Sequence, residues 1–224
     1  MSPEIQAKRA RAVAAWRALK SPKLGMRGYL CVLAFIDCAP ATAQDVAAAF
    51  GAGRQHTREL LQRMGELGMA HTEGSMRTGR AGPPSALWRA GLGPIERLGL
   101  PCRQLFPELM QLRRILAALE DPIRSVRLAE QVGSNEQLIR DILGTGRTLG
   151  MLHVCAWDVP QNPQGGGAPQ PCWVLGPGRD APRPKRMGNA EVKRRWRVAD
   201  AARRQTMQVL AALRAQPQQI GAGL

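Results

Sequence analysis

Residues 42–68, TAQDVAAAFGAGRQHTRELLQRMGELG, decide how the chain is read. Thr42 is a good N-cap for a short helix over residues 43–50, in which Val46, Ala47 and Phe50 form one apolar face. Gly51 closes that helix because a left-handed residue is needed there, and glycine adopts that conformation at little steric cost. A second helix runs from about Arg54 to Leu67 and stops at Gly68, with Thr57, Leu61 and Met64 recurring at helical spacing as its buried stripe. Arg54, Gln55, Arg58 and Gln62 are left on the outer face, with Glu59 beside them.

Upstream, residues 3–20 read as one helix ended by Ser21-Pro22, and residues 27–37 as an apolar helix ended at Ala39-Pro40. Downstream come a strand near residues 69–73, a Gly/Arg/Pro loop over 77–84 and a returning strand over 86–90. The order helix, helix, helix, strand, loop, strand then recurs. Helices are expected over 105–120, over 124–132 closed by Gly133, and over 135–148 ending at Gly150. They are followed by a strand over 151–158, a Pro/Gln/Gly loop over 159–171 and a strand over 173–175.

The recurrence holds residue by residue. At a constant offset of 82, Pro40 falls on Pro122, Val46 on Leu128, Ala47 on Ala129, Gly51 on Gly133, Arg58 on Arg140 and Leu61 on Leu143. Leu67-Gly68-Met69 falls on Leu149-Gly150-Met151, and His71 on His153. The loops differ by three residues, after which Trp88 matches Trp173, and loop tips tolerate such length changes.

Residues 42–68 resemble the helix-turn-helix of the winged-helix superfamily found in many bacterial and phage regulators, and the broader resemblance spans about 27–178. It implies a mainly α fold with small β-hairpin wings: two tandem winged-helix domains, 27–99 and 100–178, flanked by a basic N-terminal helix (1–26) and a basic extended strap and helix (179–224). It also implies that the outer face of 54–67 enters a DNA major groove. Arg pairs with guanine and Gln with adenine there, so Arg54, Gln55, Arg58 and Gln62 are suited to base reading; the alternative is an ordinary solvated helix face. Arg77 and Arg80 in the wing suit phosphates or a minor groove. In the second copy the corresponding face carries Glu136, Gln137, Arg140 and Asp141, Gly144 and Gly146 weaken the helix, and the wing QNPQGGGAPQ has no cation. This copy is expected to bind DNA weakly through Arg140 or to serve a protein contact. The exit CWVLGPGRDAPRPKR is similar to the tails of small helix-turn-helix proteins of proteobacterial phages and prophages.

Charge separates the copies from their flanks. Residues 1–26 carry +5, residues 27–99 carry +2, residues 100–178 are neutral and residues 179–224 carry +8, which makes up the chain's +15. An excess of that size implies a polyanionic partner, most often nucleic acid. Arg183, Lys185 and Arg186 lie in a proline-stiffened strap, and Lys193, Arg194, Arg195 and Arg197 lie on a helix over 189–214, with Val192, Trp196, Ala199, Met207 and Leu210 as an apolar stripe. Such a helix suits DNA, the N-terminal helix or a second subunit; an anionic membrane surface is the less favoured alternative, since no second anchoring signal accompanies it. If each flank neutralises ~4 phosphates, log K falls with log[salt] by about 0.9 per contact.

Five cysteines form no CxxC pair and no apolar run approaches membrane length, which points to a reduced, cytoplasmic and nucleoid-associated protein with no membrane partner. Cys155 and Cys172 face each other across a hairpin or serve as small buried hydrophobes. His71 and His153 have no neighbouring ligand at zinc spacing, so no metal site is expected and they read as structural. Tyr29, the only tyrosine, sits in an apolar helix with no Arg/His constellation, which reads as core packing rather than a recombinase nucleophile. No catalysis and no cofactor are expected.

The expectation is sequence-specific binding of double-stranded DNA, as a monomer or a homodimer, by a transcriptional regulator of a phage, plasmid or other mobile element. A replication or partition factor is the alternative, since some initiators also use two winged helices. A winged-helix protein adaptor of the chromosome-condensation kind is a further one, against which the cationic flanks argue.

Overall fold

A computed structural model describes residues 2–19, 25–77, 84–93, 107–159, 168–185 and 189–215. Among them, the chain is mostly helical with small antiparallel sheets. Helix α1 (Pro3–Arg17) precedes α2 (Met26–Cys38), α3 (Ala43–Phe50), α4 (Arg54–Glu66), β1 (Ala70–Met76) and β2 (Ser85–Ala90). Then follow α5 (Pro107–Ala118), β3 (Ile123–Arg124), α6 (Ser125–Val132), α7 (Glu136–Leu149), β4 (Leu152–Asp158), β5 (Gln170–Leu175) and α8 (Asn189–Ala215).

The offsets that align the sequence also align the backbone. α3 maps onto α6 and β1 onto β4 at both ends with the shift of 82, and β2 maps onto β5 with the shift of 85 that follows the longer second loop. Gly51 and Gly133 close α3 and α6 at φ 63° and 64°, and Gly68 and Gly150 follow α4 and α7 at 64° and 75°. The Gly91 amide donates to the Met69 carbonyl at 3.1 Å, as the equivalent Gly176 amide does to Met151 at 2.8 Å. Each hairpin also gains a short third segment that the sequence reading missed. Ala41 bridges Trp88, and its equivalent Ile123 pairs with Trp173 as part of β3. Both segments directly follow the repeat prolines Pro40 and Pro122. The observed β1 and β5 run three residues further towards their loop tips than expected.

The chain forms two compact units, one of Met1–Ala156 with Pro171–Ala181 and one of Trp157–Gln170 with Pro182–Leu224. The first takes in the segments read from the sequence as 1–26 and 27–99 and most of 100–178, whose residues 157–170 fall in the second. Its core runs without interruption from Leu30, Leu33 and Phe50 through Leu61 and Met64 to Leu112, Ile115, Leu128, Ile142 and Leu143. Polar contacts also cross between the repeats. The Arg27 guanidinium donates to the Thr145 hydroxyl at 2.9 Å, and Arg113 donates to the carbonyls of Leu67 and Gly93 at 3.0 Å each.

α1 belongs to this unit and is not a free basic flank. Ser2 caps it, Ala12 is fully buried, and Trp16 meets Phe50 edge-on at 5.5 Å. Arg9 lies 4.5 Å over the Phe35 ring and donates to the carbonyls of Ala39 and Pro40 at 2.8 and 3.1 Å, so part of the N-terminal charge is structural. Gly146 has a similar hidden reason. A Cβ there would lie 2.5 Å from the Leu152 side chain. The equivalent positions in the first repeat are Met64 and Ala70, so the large and small residues of this pair are exchanged between repeats. Helix propensity alone reads Gly146 as a weakness; packing makes it a requirement.

In the second unit, the Arg183 guanidinium lies 5.5 Å over the Trp157 ring. α8 leaves Trp196, Val198, Met207, Val209 and Leu210 exposed, and Arg204 pairs with Asp200 one turn away.

Candidate nucleic-acid interface

The first repeat builds its outer face from a tightly specified turn. Thr42 and Asp45 form a capping box: the Asp45 amide donates to the Thr42 hydroxyl at 3.2 Å and the Thr42 amide to the Asp45 carboxylate at 2.9 Å. Gly51 then reverses the chain, and the Thr57 hydroxyl donates to the Gly53 carbonyl at 3.0 Å. With Thr57, Leu60, Leu61 and Met64 buried, α4 has one rotational setting, which exposes Arg54, Gln55, Arg58 and Gln62. Gly53 offers no side-chain cap and the first turn of α4 contains no acid, so its orphan amides and the positive end of the helix dipole face solvent beside Arg54.

This face borders an open groove of about 760 Å³ between α3, α4 and β2. Arg54, Gln55, Arg58 and Gln62 line it together with Gln44 and Ser85, which the sequence reading did not single out. Gln44 sits on the exposed side of α3, but only the return of β2 makes it a wall. Trp88 forms the base; it fits because Gly65 has no Cβ, which would otherwise lie 2.9 Å from the indole.

Charge is distributed unevenly over the face. Among the described residues, Arg54, Arg58 and Arg77 have no hydrogen-bond or ion-pair partner, and all three are exposed. Gln55 donates to Glu59 at 2.8 Å, and Gln62 reaches Glu66 at 3.5 Å, so both amides are partly engaged. Arg63 pairs with Glu66, and Arg89 with Glu73 at 2.7 Å. Arg80 lies outside the described residues.

The second repeat presents the same scaffold with its polar groups closed on one another. Asn135 caps α7 by accepting from the Gln137 amide at 2.7 Å, and the first turn carries Glu136. Arg140, expected on the sequence to contact DNA, pairs with Glu136 at 2.6 Å, and Gln137 donates to Asp141 at 3.0 Å. The helix start that is open and cationic in α4 is therefore capped and acidic in α7.

Beyond β5 the chain turns back along β4. The Asp180 carboxylate accepts from the Val154 amide at 2.8 Å and pairs with Arg147 at 2.6 Å, while the Ala181 amide donates to the Val154 carbonyl at 2.7 Å. The Val154 amide and Arg147 together hold the Asp180 carboxyl below the usual carboxylate range. Of the residues expected to contact DNA beyond this point, Arg183 stacks on Trp157 and Lys185, Lys193 and Arg197 are exposed. Arg194 is exposed on α8 and engaged in a local interaction. Arg186 and the side chain of Arg195 lie outside the described residues.

The remaining candidates are structural in their surroundings. Tyr29 is 5% exposed, and burial, aided by the nearby Glu108 charge, pushes its hydroxyl up to about 12. His153 shares a 2.9 Å hydrogen bond with the Gly176 carbonyl and abuts Gly178; the equivalent His71 abuts Gly91. Cys155 and Cys172 stand on neighbouring strands without a disulfide between them, the Cys155 thiol donating to the Cys172 carbonyl at 3.4 Å. No helix among the described residues is long and apolar enough to cross a membrane.

Comparison with known proteins finds no matching family model, no matching curated protein and no matching solved structure.

Proposed function

We propose that the chain is a tandem winged-helix protein that binds double-stranded DNA in a sequence-specific manner, without catalysis and without a cofactor. In this reading α4 is the base-reading helix, Arg54 and Arg58 meet base edges in the major groove, and Gln55 and Gln62 exchange their acidic neighbours for adenine edges. Arg77 and the cations of residues 183–197 hold phosphates. The observation that carries the reading is the unpartnered pair Arg54 and Arg58 on an exposed, uncapped helix start beside an open groove. Two guanidinium groups left without acids cost little in water and are ready to form bidentate bonds to guanine.

The role attached to that binding is transcriptional regulation in a phage, plasmid or other mobile element, in the cytoplasm at the nucleoid. It rests on the winged-helix resemblance of 42–68 and on the basic exit after β5. Selection of bound sites from random duplex DNA tests the proposal. An enriched site bound at least 100-fold more tightly than random duplex is expected, with a salt slope that falls when residues 179–224 are removed. An unenriched pool overturns the sequence-specific reading.

A further inference from the structure

The outer edges of β1 and β4 are built alike and finished differently. On β4, both main-chain groups of Val154 are taken by the chain that leaves β5. Its amide donates to the Asp180 carboxylate at 2.8 Å, and its carbonyl accepts from the Ala181 amide at 2.7 Å. Gly176 bonds Met151 and residues 180–181 bond Val154, so this exit runs beside β4 in the same direction. Arg147 holds it from α7 through Asp180.

Thr72 is the equivalent of Val154 on β1. It stands opposite Trp88, whose amide and carbonyl both turn the other way, to Ala41, at 2.9 and 3.0 Å. Thr72 and Trp88 are therefore a non-hydrogen-bonded pair, and the amide and carbonyl of Thr72 point outward from the sheet. Neither group has a hydrogen-bond partner among the described residues, and β1 is exposed from His71 to Met76. A groove of about 620 Å³ lies against this edge, lined by Thr72, Glu66, Gly65, Gly68, Trp88 and Leu92. The groups that hold the exit in the second repeat have no counterpart here. Gly65 stands where Arg147 does, and in the sequence Ile95 stands where Asp180 does, with no carboxylate to accept from the Thr72 amide.

We propose that the β1 edge docks an extended segment of a protein partner, which pairs its main chain with Thr72 as residues 180–181 pair with Val154. An edge with unpaired amides and carbonyls is a template for such strand addition. The groove sets the chemistry of the segment. No cation replaces Arg147, and Glu66 at the wall is already paired with Arg63, so an acidic side chain gains no partner. An apolar side chain meets Trp88 and Leu92. The segment is therefore extended, uncharged where it crosses Gly65, and apolar beside Trp88. The inference does not depend on DNA binding.

The test uses the full chain and an end-capped probe peptide, Gly-Pro-Gly-Gln-Leu-Ala-Pro, which is residues 176–182 with Arg179→Gln and Asp180→Leu. Amide hydrogen exchange is read residue by residue by NMR. In the chain alone, the Thr72 amide is expected to be at least tenfold less protected than the Val154 amide. Saturating peptide is expected to slow exchange at Thr72 at least tenfold and to leave Val154 unchanged. The same peptide N-methylated at its alanine cannot donate to the Thr72 carbonyl and is expected to bind at least fivefold more weakly. A Thr72 amide already protected in the chain alone would mean that the chain covers its own edge. That result, absence of saturable peptide binding, or equal binding of the N-methylated peptide would each overturn the proposal.

Discussion

The two repeats share a backbone and differ in nearly everything that faces outward. Their closing glycines, hairpin hydrogen bonds and bridging residues correspond position for position. At the third helix of each, however, α4 offers unpartnered Arg54 and Arg58 at an uncapped start, whereas α7 is capped by Asn135 and ties Arg140 to Glu136. The contrast separates two demands on a sequence. Turns and core are constrained by backbone geometry and volume, so they stay recognisable between copies. The solvent face is constrained only by what it meets, so it has diverged into one open and one self-satisfied surface.

The sharpest way to break the equivalence of the two cores is to exchange their packing. Gly146→Met drives a side chain into Leu152 and is expected to cost about 3 kcal/mol or more. Leu152→Ala, which empties a buried position, is expected to cost about 2–5 kcal/mol. The double variant recreates the Met64/Ala70 arrangement of the first repeat and should recover at least half of the summed loss in denaturant unfolding. Simple additivity would mean that the two repeats do not pack alike at this pair.

Alkaline lability should come from the first repeat. Tyr29 and Cys31 are buried there, whereas their equivalents are Gln111 and Arg113. Burial raises the Tyr29 hydroxyl from 10.0 to about 12 and the Cys31 thiol from 9.0 to about 11. With folded values above the unfolded ones, stability is full below pH 9 and falls as pH rises, through about 11 for Cys31 and about 12 for Tyr29. The expected loss is at most roughly 3 kcal/mol for each group. Unfolding midpoints between pH 8 and 11 check this, and Tyr29→Phe should flatten the upper part of the curve.

A smaller effect distinguishes the hairpin edges. Asp180 ties the exit chain to β4 through Val154, and its folded pKa lies below the ordinary 3.8. Its contribution is therefore present above that ordinary value and is lost as pH falls through the lowered one. Asp180→Ala should cost about 1 kcal/mol and speed hydrogen exchange at the Val154 amide, leaving the β1 amides of the first repeat unchanged. Equal changes in both hairpins would show that the contact is not local.

Much of this architecture is legible in the sequence because the repeat is punctuated by residues with steric duties. Gly51, Gly68, Gly133 and Gly150 mark left-handed closures, and Trp88 and Trp173 mark the returning strands. The glutamate–arginine pairing in α7 runs against the expectation that Arg140 is free for DNA, although Glu136 and Arg140 stand four apart, the spacing at which such pairs form on a helix. Other features depend on contacts between distant segments. The bridging segments at Ala41 and Ile123 are too short to show a strand period. α1 resembles a detached basic flank until Arg9 meets Ala39 and Pro40, and Trp16 meets Phe50. Gln44 and Ser85 join the groove only because β2 folds back beside α3.

The most direct measurement is the affinity of Arg54→Ala/Arg58→Ala and of Arg140→Ala for a site selected by the unmodified chain, each set against random duplex at one salt concentration. At about 1–3 kcal/mol for each base-contacting arginine, the double variant should lose most of the preference for the selected site and keep its affinity for random duplex within a few-fold. Arg140→Ala should stay within about twofold on both, since it removes only an exposed ion pair. Equal losses from the two repeats, or a selected-site preference that survives without Arg54 and Arg58, would contradict the division of labour between them.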